Sequence, residues 1–328
     1  MAESKEIAAM GGDAAPVVVQ AAQAARAAPA LRLIGVSSGY GVPPVACDGS
    51  MQAAQALHLA DVGHGVRRNR VACSWDEPLS LADAAGLSRE EALRRISSLL
   101  EERIVAAVLA SRPQQRVIPV VLSGDHAIAH GAWRGVARTC MEKPGLLWID
   151  AHLDAHTSLS TPSGNLHGMP LAALLGCMPN PWQQNRPVIE AGRTCVFGAR
   201  SFESAELQLL QRLDVRIFGM AEICQRGLSA TFAEALARVG GVAGSGQRQP
   251  FGISLDLDAL DPQFAHGVNT PVADGLDADA LLEELRGLAH RENFVGFEVS
   301  EYNPQVDADR QTAAFVTRLL ASLTLPAQ

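Results

Sequence analysis

Short apolar runs alternate with helix-type patterns along most of the 328-residue chain, and this alternation restricts the fold more than any other feature. The runs are almost continuously apolar, which is typical of strands buried on both faces of a parallel sheet. The clearest helix begins at Ser88, which forms a capping-box spacing with Glu91. We therefore predict a three-layer α/β/α fold with a mainly parallel, doubly wound sheet. Strands are expected at 31–36, 117–122, 146–149, 194–197, 215–218, 251–257 and 294–299.

Composition and charge narrow the class of protein. Residues 1–30 are rich in alanine and are expected to form a poorly ordered tail, which leaves 31–328 as a single domain. The 27 Lys and Arg residues against 35 Asp and Glu residues give a net charge of −8, so a nucleic-acid partner is not expected. The chain shows no signal peptide, no apolar run that could span a membrane and no CxxC pair among its six cysteines. These features predict a cytoplasmic protein with reduced cysteines and no membrane partner.

Polar and charged residues follow three of the expected strands at their carboxyl ends. The three segments are 123–126 (SGDH), 150–154 (DAHLD) and 256–258 (DLD). Because ligands of an open α/β sheet bind in the crevice at the carboxyl ends of its strands, we expect the segments to converge. The two-residue period of a strand also predicts that each Asp points to the same side as the ligand-type residue two positions later.

The chemistry of these segments indicates metal ions. Buried carboxylates are costly unless they are paired or bind a metal. Two divalent ions with bridging carboxylates would relieve the repulsion, and a set of oxygen and imidazole ligands without thiolates suits Mn²⁺ better than structural zinc. Five of the nine histidines also crowd into residues 126–167. The candidate ligands are His126, Asp150, His152, Asp154, Asp256 and Asp258.

Five stretches of the chain resemble the ureohydrolase family, and among its members they are most similar to the arginases. They are residues 123–126, 150–154, 163–170, 254–262 and 301–304, in the family's order. The resemblance implies a centre of two Mn²⁺ ions, with Co²⁺, Ni²⁺ or Fe²⁺ as other occupants. It also implies that Asp150 and Asp256 bridge the ions. One ion would further bind His126 and Asp154, and the other would further bind His152 and Asp258.

The same resemblance implies an activity and its catalytic residues. The expected reaction is hydrolysis of the guanidinium group of L-arginine to give L-ornithine and urea, by attack of a metal-bridging hydroxide. Asp154 would orient the hydroxide, Glu301 would face the guanidinium, and His167 would carry the proton to the leaving amine. A homo-oligomer, either a trimer or a hexamer, is also implied.

The part of the family pattern that contacts the substrate tail is matched only in part. Ser163 and Asn165 match the arginase positions for the α-carboxylate, and Thr270 matches a threonine near the substrate. His156 stands where arginases carry Asn, and Glu203 stands where an Asp would face the α-amino group. The hydroxyl and amide at the carboxylate site would lose their partner if agmatine bound. A site built to hydrogen-bond a substrate group can reject an analogue that lacks the group by about 10⁴ or more, so we expect a strong preference for L-arginine over agmatine.

Other functions remain open from the residues. A guanidinobutyrase or agmatinase would use the same metal site with a different tail pocket. A mononuclear zinc deacetylase on a related fold would not need both His126 and Asp258, and a non-catalytic relative would show eroded ligands. All six candidate ligands are present, and His130, one helical turn beyond His126, is interpreted as structural.

Overall fold

A single sheet of eight parallel strands forms the centre of the molecule. The structure is a computed structural model that describes residues 28–111, 115–178, 186–242, 246 and 248–326. The strands are β1 (Ala28–Val36), β2 (Ala72–Trp75), β3 (Gln115–Ser123), β4 (Gly145–Ile149), β5 (Thr194–Ala199), β6 (Arg216–Gly219), β7 (Phe251–Asp256) and β8 (Phe294–Ser300). Their order across the sheet is β2-β1-β3-β8-β7-β4-β5-β6, and every neighbouring pair is parallel.

Helices cover both faces of this sheet and bury two apolar clusters against it. The helices are α1 (Cys47–Leu59), α2 (His64–Arg68), α3 (Arg89–Leu109), α4 (Ala129–Arg138), α5 (Pro170–Leu174), α6 (Ser204–Arg212), α7 (Met220–Arg226), α8 (Leu228–Val239), α9 (Ala278–Glu284) and α10 (Gln311–Leu323). One cluster joins the sheet to α1, α2 and α7–α10, and the other joins it to α3–α6. The predicted three-layer, doubly wound fold is therefore confirmed.

Burial explains why the sequence pattern located the central strands. Every residue of β4, β5 and β7 is buried, so each of these strands is largely apolar. The helix expected at Ser88 also forms, with the Ser88 hydroxyl oxygen accepting the Glu91 N–H at 3.1 Å. Within the described ranges, no helix combines the length and the apolar character needed to cross a membrane.

Five elements were not predicted from the sequence: β2, α1, α2, α5 and α7. β2 is an edge strand whose residues are alternately exposed and half-buried, so it lacks the apolar run of the central strands. α1 contains Gly49 and Ser50 in its first turn, a composition that does not favour a helix interior. β1 begins at Ala28, three residues before the expected boundary, and the rest of the expected tail lies outside the described residues.

The strand order places the candidate site. Strands β7 and β8 lie between β3 and β4, and the chain crosses the sheet from β7 to β8 in the direction opposite to its path from β3 to β4. A crevice opens at the carboxyl ends of strands at such a point. The three polar segments follow β3, β4 and β7, and Glu301 follows β8. The three polar segments and Glu301 therefore follow four adjacent strands and lie at one crevice.

Candidate metal centre and active site

Tight turns at the strand ends bring the candidate ligands together. Asp150 Oδ1 accepts the backbone N–H of His152 at 2.7 Å, and Asp256 Oδ1 accepts that of Asp258 at 2.8 Å. The prediction that strand periodicity aligns these pairs was wrong in its cause, because β4 ends at Ile149 and β7 ends at Asp256. In each case the first carboxylate bonds the backbone two residues on, as aspartate does in Asx turns.

The first ligand group surrounds His126. Its Nδ1 atom lies 3.3 Å from Asp150 Oδ2, 3.1 Å from Asp154 Oδ2 and 3.0 Å from Asp256 Oδ2. All four residues are buried. Asp154 reaches this point from a left-handed backbone conformation, with φ of 48°. One imidazole nitrogen and three carboxylates thus face a common centre.

The second group surrounds His152. Its Nδ1 atom lies 3.4 Å from Asp150 Oδ1 and 3.2 Å from Asp258 Oδ2. Asp150 therefore offers one oxygen to each group, which is the arrangement that a bridging carboxylate requires. The ligand atoms of His126, Asp150 and Asp154, and those of Asp150, His152 and Asp258, lie close enough to hold one ion each.

The bonding of His126 tests whether the residues fit a cation. Its Nδ1 atom is buried and makes no directed hydrogen bond, although three carboxylate oxygens surround it. Its Nε2 atom lies 2.9 Å from the hydroxyl of Ser254. A histidine ligand uses one nitrogen for the metal and donates from the other. The geometry of His126 therefore fits a divalent ion at Nδ1.

The electrostatics of the group lead to the same conclusion. Burial and the charge of Asp150 raise the pKa of Asp154 to about 7. Burial and the charges of Asp258 and Asp150 likewise raise the pKa of Asp256 well above its usual value. Repulsion between their charges therefore opposes the simultaneous ionisation of these carboxylates, and divalent cations between them would offset that repulsion.

A second set of residues, not predicted from the sequence, supports the first ligand group. Ser254 donates to Glu298 Oε2 at 2.8 Å, and Trp133 Nε1 donates to the same oxygen at 2.9 Å. The Trp148 ring stacks on the His126 imidazole at 4.1 Å, and Trp148 Nε1 donates to Asp150 Oδ2 at 2.9 Å. A charged residue inside the apolar run 294–299 was the available signal for Glu298.

Glu301 lies beside this centre with its carboxylate already engaged. Oε1 accepts the backbone N–H of His126 at 2.8 Å and lies 3.3 Å from His167 Nδ1. Oε2 accepts Asn269 Nδ2 at 3.1 Å. Burial opposes charge on His167, but the charge and hydrogen bond of Glu301, together with the charges of Asp154 and Asp125, outweigh it and raise the pKa of His167 to about 9. His167 is therefore positioned to hold a proton next to the centre.

The residues expected around the substrate tail occupy different environments. Ser163 is exposed, and its hydroxyl oxygen accepts the Asn165 N–H at 3.2 Å. Thr270 donates to Asp258 Oδ2 at 2.8 Å and so contacts the second ligand group directly. His156 Nε2 lies 3.0 Å from Glu203 Oε2. The Ser163 hydroxyl therefore lies at an exposed point of its loop, where solvent can reach it.

Comparisons with known proteins agree with this geometry. A model of the arginase family matches residues 47–325. An arginase of Bacillus caldovelox is 34% identical over 257 residues, which cover 76% of this chain and 82% of the relative. An arginase of Bacillus subtilis (strain 168) is 30% identical over 274 residues, covering 81% and 86%.

Solved structures extend the likeness to the fold. The native structure of the arginase from Bacillus caldovelox superposes with a TM-score of 0.77 at 30% identity, over 90% of this chain and 98% of that chain. The proclavaminate amidino hydrolase from Streptomyces clavuligerus superposes with a TM-score of 0.67 at 21% identity, over 92% and 95% of the two chains, and so shares the fold. The family match across most of the chain, on a structure that gathers the family's histidines and aspartates, shows that this chain is an enzyme of the ureohydrolase class and belongs to the arginase family.

Proposed function

We propose that this enzyme hydrolyses L-arginine to L-ornithine and urea, with two Mn²⁺ ions as its native cofactor. The observation that carries the proposal is the sharing of Asp150 between two ligand groups beside Glu301 and His167. One group would hold the first ion through His126, Asp150, Asp154 and Asp256. The other would hold the second ion through Asp150, Asp256, His152 and Asp258. Co²⁺, Ni²⁺ and Fe²⁺ compete for the same ligand types.

Two ions held in these groups would supply hydroxide near neutral pH by lowering the pKa of a shared water. Asp154 contributes a carboxylate that is buried at the edge of the first group, where it can orient that hydroxide. Its left-handed backbone turns the carboxylate towards His126. A substitution of Asp154 is therefore expected to affect both metal binding and the direction from which the hydroxide attacks.

Glu301 and His167 divide the work on the substrate. Glu301 is 1% exposed and provides the negative charge that a guanidinium needs in a buried crevice. His167 can give a proton to the leaving amine, because it is held 3.3 Å from Glu301 Oε1 and retains its proton up to about pH 9. The Glu301 carboxylate can thus bind the guanidinium group and also helps to keep His167 protonated.

The environment of the tail residues weakens the expected rejection of agmatine. A substrate without an α-carboxylate would leave Ser163 and Asn165 without that partner, but Ser163 is exposed and water can replace it. We therefore expect a preference for L-arginine over agmatine well below about 10⁴, the value for a buried polar site.

A guanidinobutyrase is the second candidate, and one contact favours it. Glu203, the residue proposed for the α-amino group, is already bound by His156. A carboxylate oxygen that is already engaged in this way is less available to an α-ammonium group. Guanidinobutyrate lacks the α-amino group and keeps the carboxylate, so it competes better here than agmatine does.

Parallel measurement of kcat/KM for L-arginine, agmatine and guanidinobutyrate tests the proposal. We expect the order L-arginine, guanidinobutyrate, agmatine on the Mn²⁺-loaded enzyme. Comparable values for L-arginine and agmatine would overturn the arginase assignment. A higher value for guanidinobutyrate than for L-arginine would establish the second candidate.

We also propose a cytoplasmic homo-oligomer, a trimer or a hexamer. The proposal rests on family membership together with the free cysteines of the described residues. Sedimentation equilibrium of the Mn²⁺-loaded protein gives the number of chains, and a monomer at micromolar concentration would contradict it.

A further inference from the structure

We infer that Asn269 is a positioning residue that fixes which acceptor site of Glu301 is left for the substrate. The inference rests on the proposed role of Glu301 as the partner of the guanidinium group. Asn269 Nδ2 donates to Glu301 Oε2 at 3.1 Å and also lies 2.9 Å from the hydroxyl of Ser50. Asn269 directly precedes Thr270, which binds a carboxylate of the second ligand group.

A chain of hydrogen bonds sets the orientation of the Asn269 amide. The backbone N–H of Gln305, which can only donate, bonds Asn303 Oδ1 at 2.9 Å. The Asn303 amide must therefore present its Nδ2 atom to Asn269, and it donates to Asn269 Oδ1 at 2.7 Å. Since Oδ1 of Asn269 is taken, its Nδ2 faces Glu301. The direction of the whole chain follows from one backbone donor.

The packing around Asn303 leaves this chain little freedom. A Cβ atom at Gly49 would lie 2.1 Å from Asn303 Oδ1, so α1 packs directly against the amide. The backbone N–H of Asn303 bonds the Gly267 carbonyl at 2.8 Å, and Val268 forms an antiparallel bridge with Tyr302. The loop that carries Asn269 is thus tied to the loop that carries Glu301.

The consequence for Glu301 follows from counting its acceptor sites. An ionised carboxylate offers about four lone-pair sites. Two sites on Oε1 face the His126 N–H and His167 Nδ1, and one site on Oε2 faces Asn269. One site on Oε2 therefore remains for the guanidinium. Asn269 restricts the substrate to a single hydrogen bond in one direction, which places the guanidinium carbon in a defined position.

Steady-state kinetics of Asn269→Ala on the Mn²⁺-loaded enzyme tests the inference. Removal of the donor opens a second site on Oε2, so the guanidinium can bind in more than one position. Because small misplacements of the reacting group are costly, we expect kcat to fall about 10–100-fold. KM for L-arginine should stay within about threefold, because the charge of Glu301 remains. The Mn²⁺ content should not change, because Asn269 is not one of the proposed metal ligands.

A remote variant separates positioning from general damage. Asn303→Asp still accepts the Gln305 N–H but cannot donate, so the Asn269 amide can flip and present oxygen to Glu301. We expect kcat to fall less in Asn303→Asp than in Asn269→Ala. The double variant should have a kcat no lower than that of Asn269→Ala alone. Gln305→Ala keeps its backbone N–H and serves as the matched control, with wild-type kcat. Additive losses in the double variant would overturn the inference.

A crystal structure of Asn269→Ala gives a readout that does not depend on turnover. In Asn269→Ala crystals soaked with guanidinium chloride, a guanidinium ion that binds Glu301 Oε2 in more than one position supports the inference even if the wild-type enzyme hydrolyses none of the three guanidino compounds, a result that would overturn only the proposed function. A guanidinium ion bound only in the wild-type position, or a wild-type kcat for Asn269→Ala, overturns the inference while leaving the proposed function in place.

Discussion

His156 Nε2 lies 3.0 Å from Glu203 Oε2, so the two residues that differ from the arginase pattern bind each other. The same nitrogen lies 3.4 Å from Glu206 Oε2, and His156 Nδ1 lies 3.1 Å from the Ser160 hydroxyl. The His156 side chain is 9% exposed and that of Glu203 is 59% exposed. Both ring nitrogens of His156 therefore contact protein groups, and the Glu203 carboxylate is the charge that faces solvent.

The exposed carboxylate of Glu203 predicts that removal of its charge lowers kcat/KM for one substrate and not for another. Glu203→Gln removes the charge but keeps the length and an acceptor oxygen. We expect kcat/KM for L-arginine to fall about 1.5–5-fold, as is typical of a solvent-exposed ion pair. The value for guanidinobutyrate should not change, because it has no α-amino group. Equal losses for both substrates would show that Glu203 does not contact that group.

The sharing of Asp150 between both ligand groups predicts unequal metal losses. Asp150→Ala should reduce the Mn²⁺ content from about two ions per chain to below one, because both groups lose a ligand. His152→Ala should retain about one ion, since only the second group is damaged. Elemental analysis after dialysis measures both. The interpretation of a two-ion site fails if the wild type saturates at one ion.

The hydroxyl of Ser254 is expected to support the first ligand group selectively. Ser254→Ala leaves the buried His126 Nε2 without its partner, and loss of such a second contact typically weakens metal binding 10–100-fold. The second group should keep its affinity. Ser300→Ala is the matched control, because Ser300 is buried on the adjacent strand and bonds the Leu255 carbonyl instead. Titration calorimetry with Mn²⁺ resolves the two sites, and an equal loss at both would point to general damage.

The proton on His167 predicts the alkaline limb of the pH profile. The pKa of about 9 means that the acid form is present below pH 9 and is lost as the pH rises through that value. We therefore expect kcat/KM to decline above about pH 9. His167→Ala should lower kcat about 10²–10⁴-fold, with unchanged metal content and without that limb. Full turnover by this variant would exclude His167 as the proton donor.

The candidate ligands could be predicted from sequence because their geometry is local. Asp150 and His152, and Asp256 and Asp258, are two residues apart, and each pair is closed by one side-chain bond to a backbone N–H. Their convergence required only the assumption that parallel strands end at one edge. Asp125 belongs to the 123–126 segment together with His126, but its role was not predicted. Its carboxylate accepts hydrogen bonds from the Ser38 hydroxyl and the Gly41 N–H, and so it anchors a distant loop.

The sequence by itself determined the parallel sheet and the set of metal-type residues, because burial on both faces and short-range turns leave direct patterns in the chain. Only the tertiary structure decided which distant side chains support them. Ser254 meets Glu298 because they are register partners on β7 and β8, and register depends on the whole sheet. Asn269 meets Glu301 because two loops pair across 32 residues. Such contacts arise from packing between elements, which no local pattern of residue types encodes.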